Sequence, residues 1–170
     1  MDINHRGDWG TLKMEFLLPG AVGILLLAAA ISDLRSRTIS NKLNLAIALA
    51  ALPMWFVGGL SLWPDAMMQV AAAFGVFLLF FALFAFGAMG GGDVKMIAAM
   101  MLWVPLSLML PALIVMAIAG GILSAVMLIK AKANRDKAQM EVPYGVAIAA
   151  AGLWVLHKHY LNHFDITALA

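Results

Sequence analysis

The chain is built from long apolar runs separated by short polar interruptions. Six runs stand out, at about Phe16–Ser32, Leu43–Gly59, Met67–Ala88, Val94–Leu110, Ala112–Ile129 and Val142–Leu156. Crossing the hydrocarbon of a bilayer takes about 20 apolar residues at roughly 1.5 Å each, so each run predicts one membrane helix. The expectation is an all-α membrane protein of six spans: a non-cytoplasmic segment 1–15, a transmembrane domain 16–156 and a non-cytoplasmic tail 157–170. The weakest polar break separates the fourth and fifth runs, where a helical hairpin is expected around Pro105 and Pro111. The connections Gly58–Asp65 and Trp103–Pro111 carry the Gly, Pro and Trp expected of turns at a membrane interface. No internal repeat or low-complexity linker is visible.

Composition agrees with the pattern. The chain is 64% hydrophobic and 12% charged, more apolar surface than a soluble 170-residue domain could hide in one core. Charge then sets orientation. Of the eleven basic residues, Arg35, Arg37, Lys42, Lys95, Lys130, Lys132, Arg135 and Lys137 fall on one side of a six-span chain. Only Arg6, Lys13 and Lys158 fall on the other. The positive-inside rule places the first group in the cytoplasm and both termini outside. These loops lack interleaved aromatics, so they read as orientation signals and not as a nucleic-acid surface. Lys13, the run to Leu27 and Ala28–Ala30 imitate a cleavable signal peptide, but Asp2, Asp8 and Glu15 precede the run where such peptides are basic.

Candidate chemistry is sparse. The chain has no cysteine, so no disulfide, thiolate ligand or cysteine nucleophile is available. Met96, Met100 and Met101 read as adaptable packing, and His157, His159 and His163 as a solvated outer tail. The aspartates sort by topology. Asp2, Asp8, Asp65 and Asp165 fall outside, and Asp136 lies in a basic loop. Asp33 and Asp93 alone lie at cytoplasmic ends of apolar runs, where a carboxylate beside hydrocarbon is costly enough to suggest function. Each also has an ordinary reading: Asp93 as an N-cap following Gly90-Gly91-Gly92, and Asp33 as an interfacial acid paired with Arg35 or Arg37.

Together, the two acids suit peptide hydrolysis. Two carboxyls a few ångströms apart cannot both ionise cheaply, so one keeps a proton. The ionised acid takes a proton from an attacking water, while the protonated one polarises the scissile carbonyl and then helps the amine leave. Such chemistry requires no metal, no cofactor and no covalent intermediate. Which acid carries the proton stays open. Glycines beside Asp93 would let a substrate backbone and a water approach closely. If one site is formed, the first and fourth helices must be neighbours.

Three segments carry a family resemblance: Asp33-Leu34-Arg35-Ser36-Arg37-Thr38-Ile39-Ser40-Asn41, then Gly90-Gly91-Gly92-Asp93-Val94-Lys95, then Val142-Pro143-Tyr144-Gly145-Val146-Ala147. In that order, on a multi-span scaffold, they resemble the type IV prepilin peptidases, intramembrane aspartic proteases of pilus biogenesis. The resemblance runs from about Leu25 to Gly152. It implies a bacterial inner-membrane endopeptidase with Asp33 and Asp93 as the catalytic pair and Gly90 and Gly92 shaping the approach. The implied substrate is a prepilin whose short basic leader is cut at the cytoplasmic face. Ser40 stands where the family often has Pro. The cysteine-bearing N-terminal domain of long members, linked to methylation, has no counterpart, so the chain resembles the short peptidases of tight-adherence (Flp-type) systems. Lys95 either tunes Asp93, anchors an acidic group of the substrate or snorkels. Pro143 suits the first turn of the sixth helix, and Tyr144 and Gly145 either pack near the acids or are structural, the second reading being favoured. The expected partners are the prepilin and the bilayer, with homo-oligomerisation open. The rival classes are a small ion-coupled transporter and a non-catalytic pilus-assembly scaffold.

Overall fold

A computed structural model describes residues 8–134 and 142–161. Six α-helices follow one another: α1 (Asp8–Ser36), α2 (Asn41–Val57), α3 (Met67–Ala85), α4 (Gly91–Met101), α5 (Leu106–Asn134) and α6 (Tyr144–Val155). A short helical segment, Leu62–Ala66, leads into α3, and another, Leu156–Leu161, extends α6. There is no strand among the described residues. The basic loop 135–141, with Arg135, Asp136 and Lys137, lies outside them, as do residues 1–7 and the tail from 162 onward, including His163.

The helices are of two kinds. Met14–Ser36, Leu62–Ala85 and Leu106–Lys130 are long and apolar enough to cross a membrane, and α2 is a shorter apolar helix. This is a membrane protein. By contrast, α4 has 11 residues, or roughly 17 Å at 1.5 Å per residue, well short of a hydrocarbon core of about 30 Å, and α6 has 12 before its extension Leu156–Leu161.

The short helices form the centre. α4 packs against α2, α3 and α6, while α6 packs against α1, α4 and α5. Met96, Ile97, Met100 and Met101 of α4 are buried, as are Ala147, Ile148, Ala151 and Val155 of α6. The methionines are thus core packing. α3 and α5 stand at the periphery, where Phe74, Leu78, Ile114, Ile118 and Ile122 remain exposed, as lipid-facing side chains should. The expected direct packing of α1 on α4 is not found among the described residues: the two helices are separated along most of their length, and only their acid-bearing ends open onto one cleft. Along their lengths each lies against α2 and α6. Side chains of α1 and α4 both reach Gly152 of α6, where an added Cβ would stand 2.7 Å from Leu26 Cδ1 and 2.9 Å from Met100 Sδ.

One boundary differs from expectation. The fourth run, Val94–Leu110, is not one helix: α4 stops at Met101, a turn occupies residues 102–105, and α5 begins at Leu106 with Pro111 inside it. Pro105 marks the break and Pro111 does not. The turn is buried, with Trp103 and Val104 almost inaccessible, so its backbone carbonyls have no water to meet. Side chains from three other elements meet them instead. Gln69 Nε2 donates to Met101 O (2.8 Å) and Val104 O (2.6 Å), Trp55 Nε1 to Leu102 O (3.0 Å), and the Tyr160 hydroxyl to Trp103 O (3.0 Å). Trp103 Nε1 in turn donates to Ile47 O at 2.8 Å. A helix end within an apolar interior is tolerable only when its orphan carbonyls are satisfied this way.

Candidate active site

Asp33 sits in the last turn of α1 and Asp93 at the third position of α4, and both are buried at 4% and 9% exposure. The fold brings them to one cleft of about 480 Å³, lined also by Arg37, Gly87, Ala88, Met89, Gly90, Val142 and Tyr144. Its walls therefore come from the ends of α1 and α3, the start of α4 and the approach to α6.

Each acid is held by a backbone amide next to a glycine. The Gly145 N–H donates to Asp33 Oδ2 at 2.8 Å. Position 145 must be glycine for that contact: a Cβ there would lie 2.8 Å from Asp33 Oδ2 and 2.9 Å from Asp33 Cβ. Of the two readings open for Gly145, packing near the acids and a structural role, the first is the one seen: Gly145 touches Asp33 directly. Asp93 accepts from the Gly90 N–H, and a Cβ on Gly90 would lie 3.0 Å from Asp93 Oδ2. The N-cap of α4 is Gly90, with no side-chain cap, so Asp93 is not the N-cap of the ordinary reading. It reaches back from the third helical position to the cap's own amide, one half of a capping box. Gly90 clears space for the acid itself. Gly92, whose Cβ would meet Ile39 at an ordinary 3.5 Å, has no such constraint.

Among the described residues, the cation lining the cleft is Arg37. α1 ends at Ser36, and Arg37 follows with φ of 55°, its N–H bonded to Asp33 O at 2.9 Å. This left-handed position costs a non-glycine residue roughly 1–2 kcal/mol, and it brings the guanidinium round to the side of Asp33. The reversal is completed by Ser32 Oγ donating to Thr38 O and Ser36 Oγ to Ser32 O, and by Ser40 capping α2 at the Lys42 N–H. Arg35 is exposed and does not line the cleft. Lys95 points elsewhere, donating to Asn41 Oδ1 at 3.0 Å. Pro143 occupies the N-cap position of α6. Tyr144 lines the cleft and packs where Gly120 leaves room.

Two polar residues that sequence reasoning missed are Asn44 and Gln69, buried at 5% and 6% exposure. Gln69 ends α4. Asn44 Nδ2 donates to Gly92 O at 3.2 Å, touching the glycine turn from α2. The available signal was the same one that exposed the aspartates, a polar side chain inside an apolar run.

No curated protein and no solved structure matches the chain significantly. A family model does: that of the type IV leader peptidase family matches residues 21–125, more than half of the sequence. The matched span contains Asp33, the glycine turn and Asp93, and it stops before Gly145. Two buried acids at the paired ends of α1 and α4, on a helical membrane scaffold carrying that match, place this chain in the type IV leader peptidase family.

Proposed function

We propose that the chain is an aspartic-type intramembrane endopeptidase that removes the short basic leader of a type IV, Flp-like prepilin at the cytoplasmic face of the bacterial inner membrane. The observation that carries this reading is the shared cleft: two buried carboxyls converge there, and glycine amides hold each one. One carboxyl, ionised, deprotonates a water that attacks the scissile carbonyl. The other, protonated, hydrogen-bonds the carbonyl oxygen and then protonates the leaving amine. Gly145 and Gly90 fix the acids' oxygens through their N–H groups, which limits the reorientation needed in the transition state. Arg37 supplies the positive charge at the cleft. Its side, with Lys42, Lys95, Lys130 and Lys132, corresponds to the cytoplasmic face under the positive-inside rule, and a six-span path leaves both termini outside.

The test is cleavage of a co-expressed Flp-type prepilin in membranes, followed by the shift of the mature band. Wild type should cleave, and Asp33→Asn and Asp93→Asn should each lose at least a thousandfold in rate while inserting normally. Retention of cleavage in either variant would refute the paired-acid mechanism.

A further inference from the structure

The glycines that open the cleft leave the chain before Asp93 intrinsically loose, since each populates far more backbone conformations than any other residue. Asp93 is nonetheless held at one position opposite Asp33. The peptide unit joining Gly92 to Asp93 fixes the direction in which the Asp93 side chain leaves the backbone. Both of its polar atoms are engaged: the Asp93 N–H donates to Gly90 O at 3.1 Å, and the Gly92 carbonyl accepts from Asn44 Nδ2 at 3.2 Å. The first bond lies within the turn and moves with it. The second comes from α2, 48 residues away in sequence, and ties the turn to the rest of the protein. Lys95 and Asn41 add a second tie between the same two helix starts.

Resting on the reading of Asp33 and Asp93 as the catalytic pair, we infer that Asn44 is a positioning residue that sets the orientation of Asp93 by holding the Gly92 carbonyl. Its own chemistry argues against a role in stability. Asn44 is buried, mostly beside apolar side chains, and its Oδ1 has no hydrogen-bond partner among the described residues. A buried amide that makes one bond and leaves an acceptor unpaired gives little net stabilisation, because the unmet acceptor offsets the bond that is made. A leucine of similar size would satisfy the core at least as well. The retained asparagine is explained by what its amide points at, a glycine carbonyl one residue before an acid.

The experiment uses the full chain in detergent or nanodiscs and compares wild type with Asn44→Leu and Asn44→Ala, neither of which can donate from that position. Amide hydrogen exchange is followed over Gly90–Lys95 and, separately, over Met96–Met101. The expected result is at least tenfold faster exchange in the first segment alone, with an unchanged melting temperature for Asn44→Leu. Unchanged exchange, or acceleration along all of α4, would overturn the inference, the latter by showing a role in helix stability. In parallel, kcat for prepilin cleavage should fall about thirtyfold with KM within twofold, and a kcat within threefold of wild type would also overturn it. If wild type does not cleave, the peptidase reading fails by itself, and the exchange data still decide whether Asn44 orients the turn.

Discussion

Replacing Gly145 by alanine is the most demanding test of the site geometry, because it adds one carbon at the place where α6 touches α1. That carbon would stand 2.8 Å from Asp33 Oδ2, 2.9 Å from Asp33 Cβ and 2.9 Å from Ile39 Cδ1, whereas relaxed carbon contacts lie at about 3.5–4.0 Å. Asp33 Cβ is rigidly attached to the backbone of α1, so a rotamer change cannot relieve the overlap. The helices must separate by roughly half an ångström or more at this level, at an overpacking cost of about 1–3 kcal/mol. The same movement lengthens the 2.8 Å bond from the Gly145 N–H to Asp33 Oδ2, and bonds to charged groups are worth about 1.5–3 kcal/mol. Displacements of about 1 Å in a catalytic group cost on the order of a hundredfold in rate. Gly145→Ala should therefore lower kcat/KM for prepilin cleavage about a hundredfold and lower the melting temperature in detergent. Gly121→Ala is the matched control: a Cβ there meets nothing within 4 Å, and the change should be neutral or stabilising by about 0.5–1 kcal/mol. Gly145→Ala with activity within threefold of wild type would refute the contact between α6 and Asp33.

Other outcomes follow from the same geometry. Gly90→Ala, which crowds Asp93 Oδ2 at 3.0 Å, should reduce cleavage at least tenfold, whereas Gly92→Ala should keep most of it; equal losses would show that the motif glycines act by flexibility alone. Gln69→Leu removes the side-chain donor to Val104 O and leaves Met101 O with only the 3.3 Å bond from the Val104 N–H, and should cost about 1–3 kcal/mol, the range for one unmet buried group, read by reversible unfolding in mixed micelles. Arg37→Gly should stabilise the fold by about 1 kcal/mol through relief of the left-handed backbone, yet lower cleavage about tenfold by removing the cation beside the acids; a parallel gain in both would exclude a role for the charge.

The parts of this protein that were readable from sequence are those where a residue contradicts its surroundings. Asp33 and Asp93 stand out because carboxylates are rare beside hydrocarbon, and α1, α2, α3 and α5 follow from the length of their apolar runs. The end of α4 was hidden for the opposite reason. Leu102-Trp103-Val104-Pro105 is as apolar as a helix interior, so hydropathy cannot distinguish a buried turn from a continuing span. What makes the turn permissible is Gln69, more than thirty residues earlier, together with Trp55 and Tyr160. Asn44 was passed over, and Gly145 was noted without its contact, because each acts through space on a partner 48 or 112 residues away, and local pattern does not name such a partner. Pro111 was misjudged as a break because a proline inside a membrane helix can be accommodated by its neighbours.

The capped end of α4 has a mechanical consequence. A helix whose inner terminus is fastened to α2, α3 and the extension of α6 cannot slide along the membrane normal without breaking those bonds in a medium that offers no replacement. Its first turn is therefore carried at a constant height, like a mark on a fixed scale. On the proposed reading, the protein cuts at a set elevation above the hydrocarbon boundary, and the substrate's own apolar helix determines which peptide bond arrives there. Lengthening that helix by one residue at its cytoplasmic end should move the cut along the substrate sequence and leave its height unchanged.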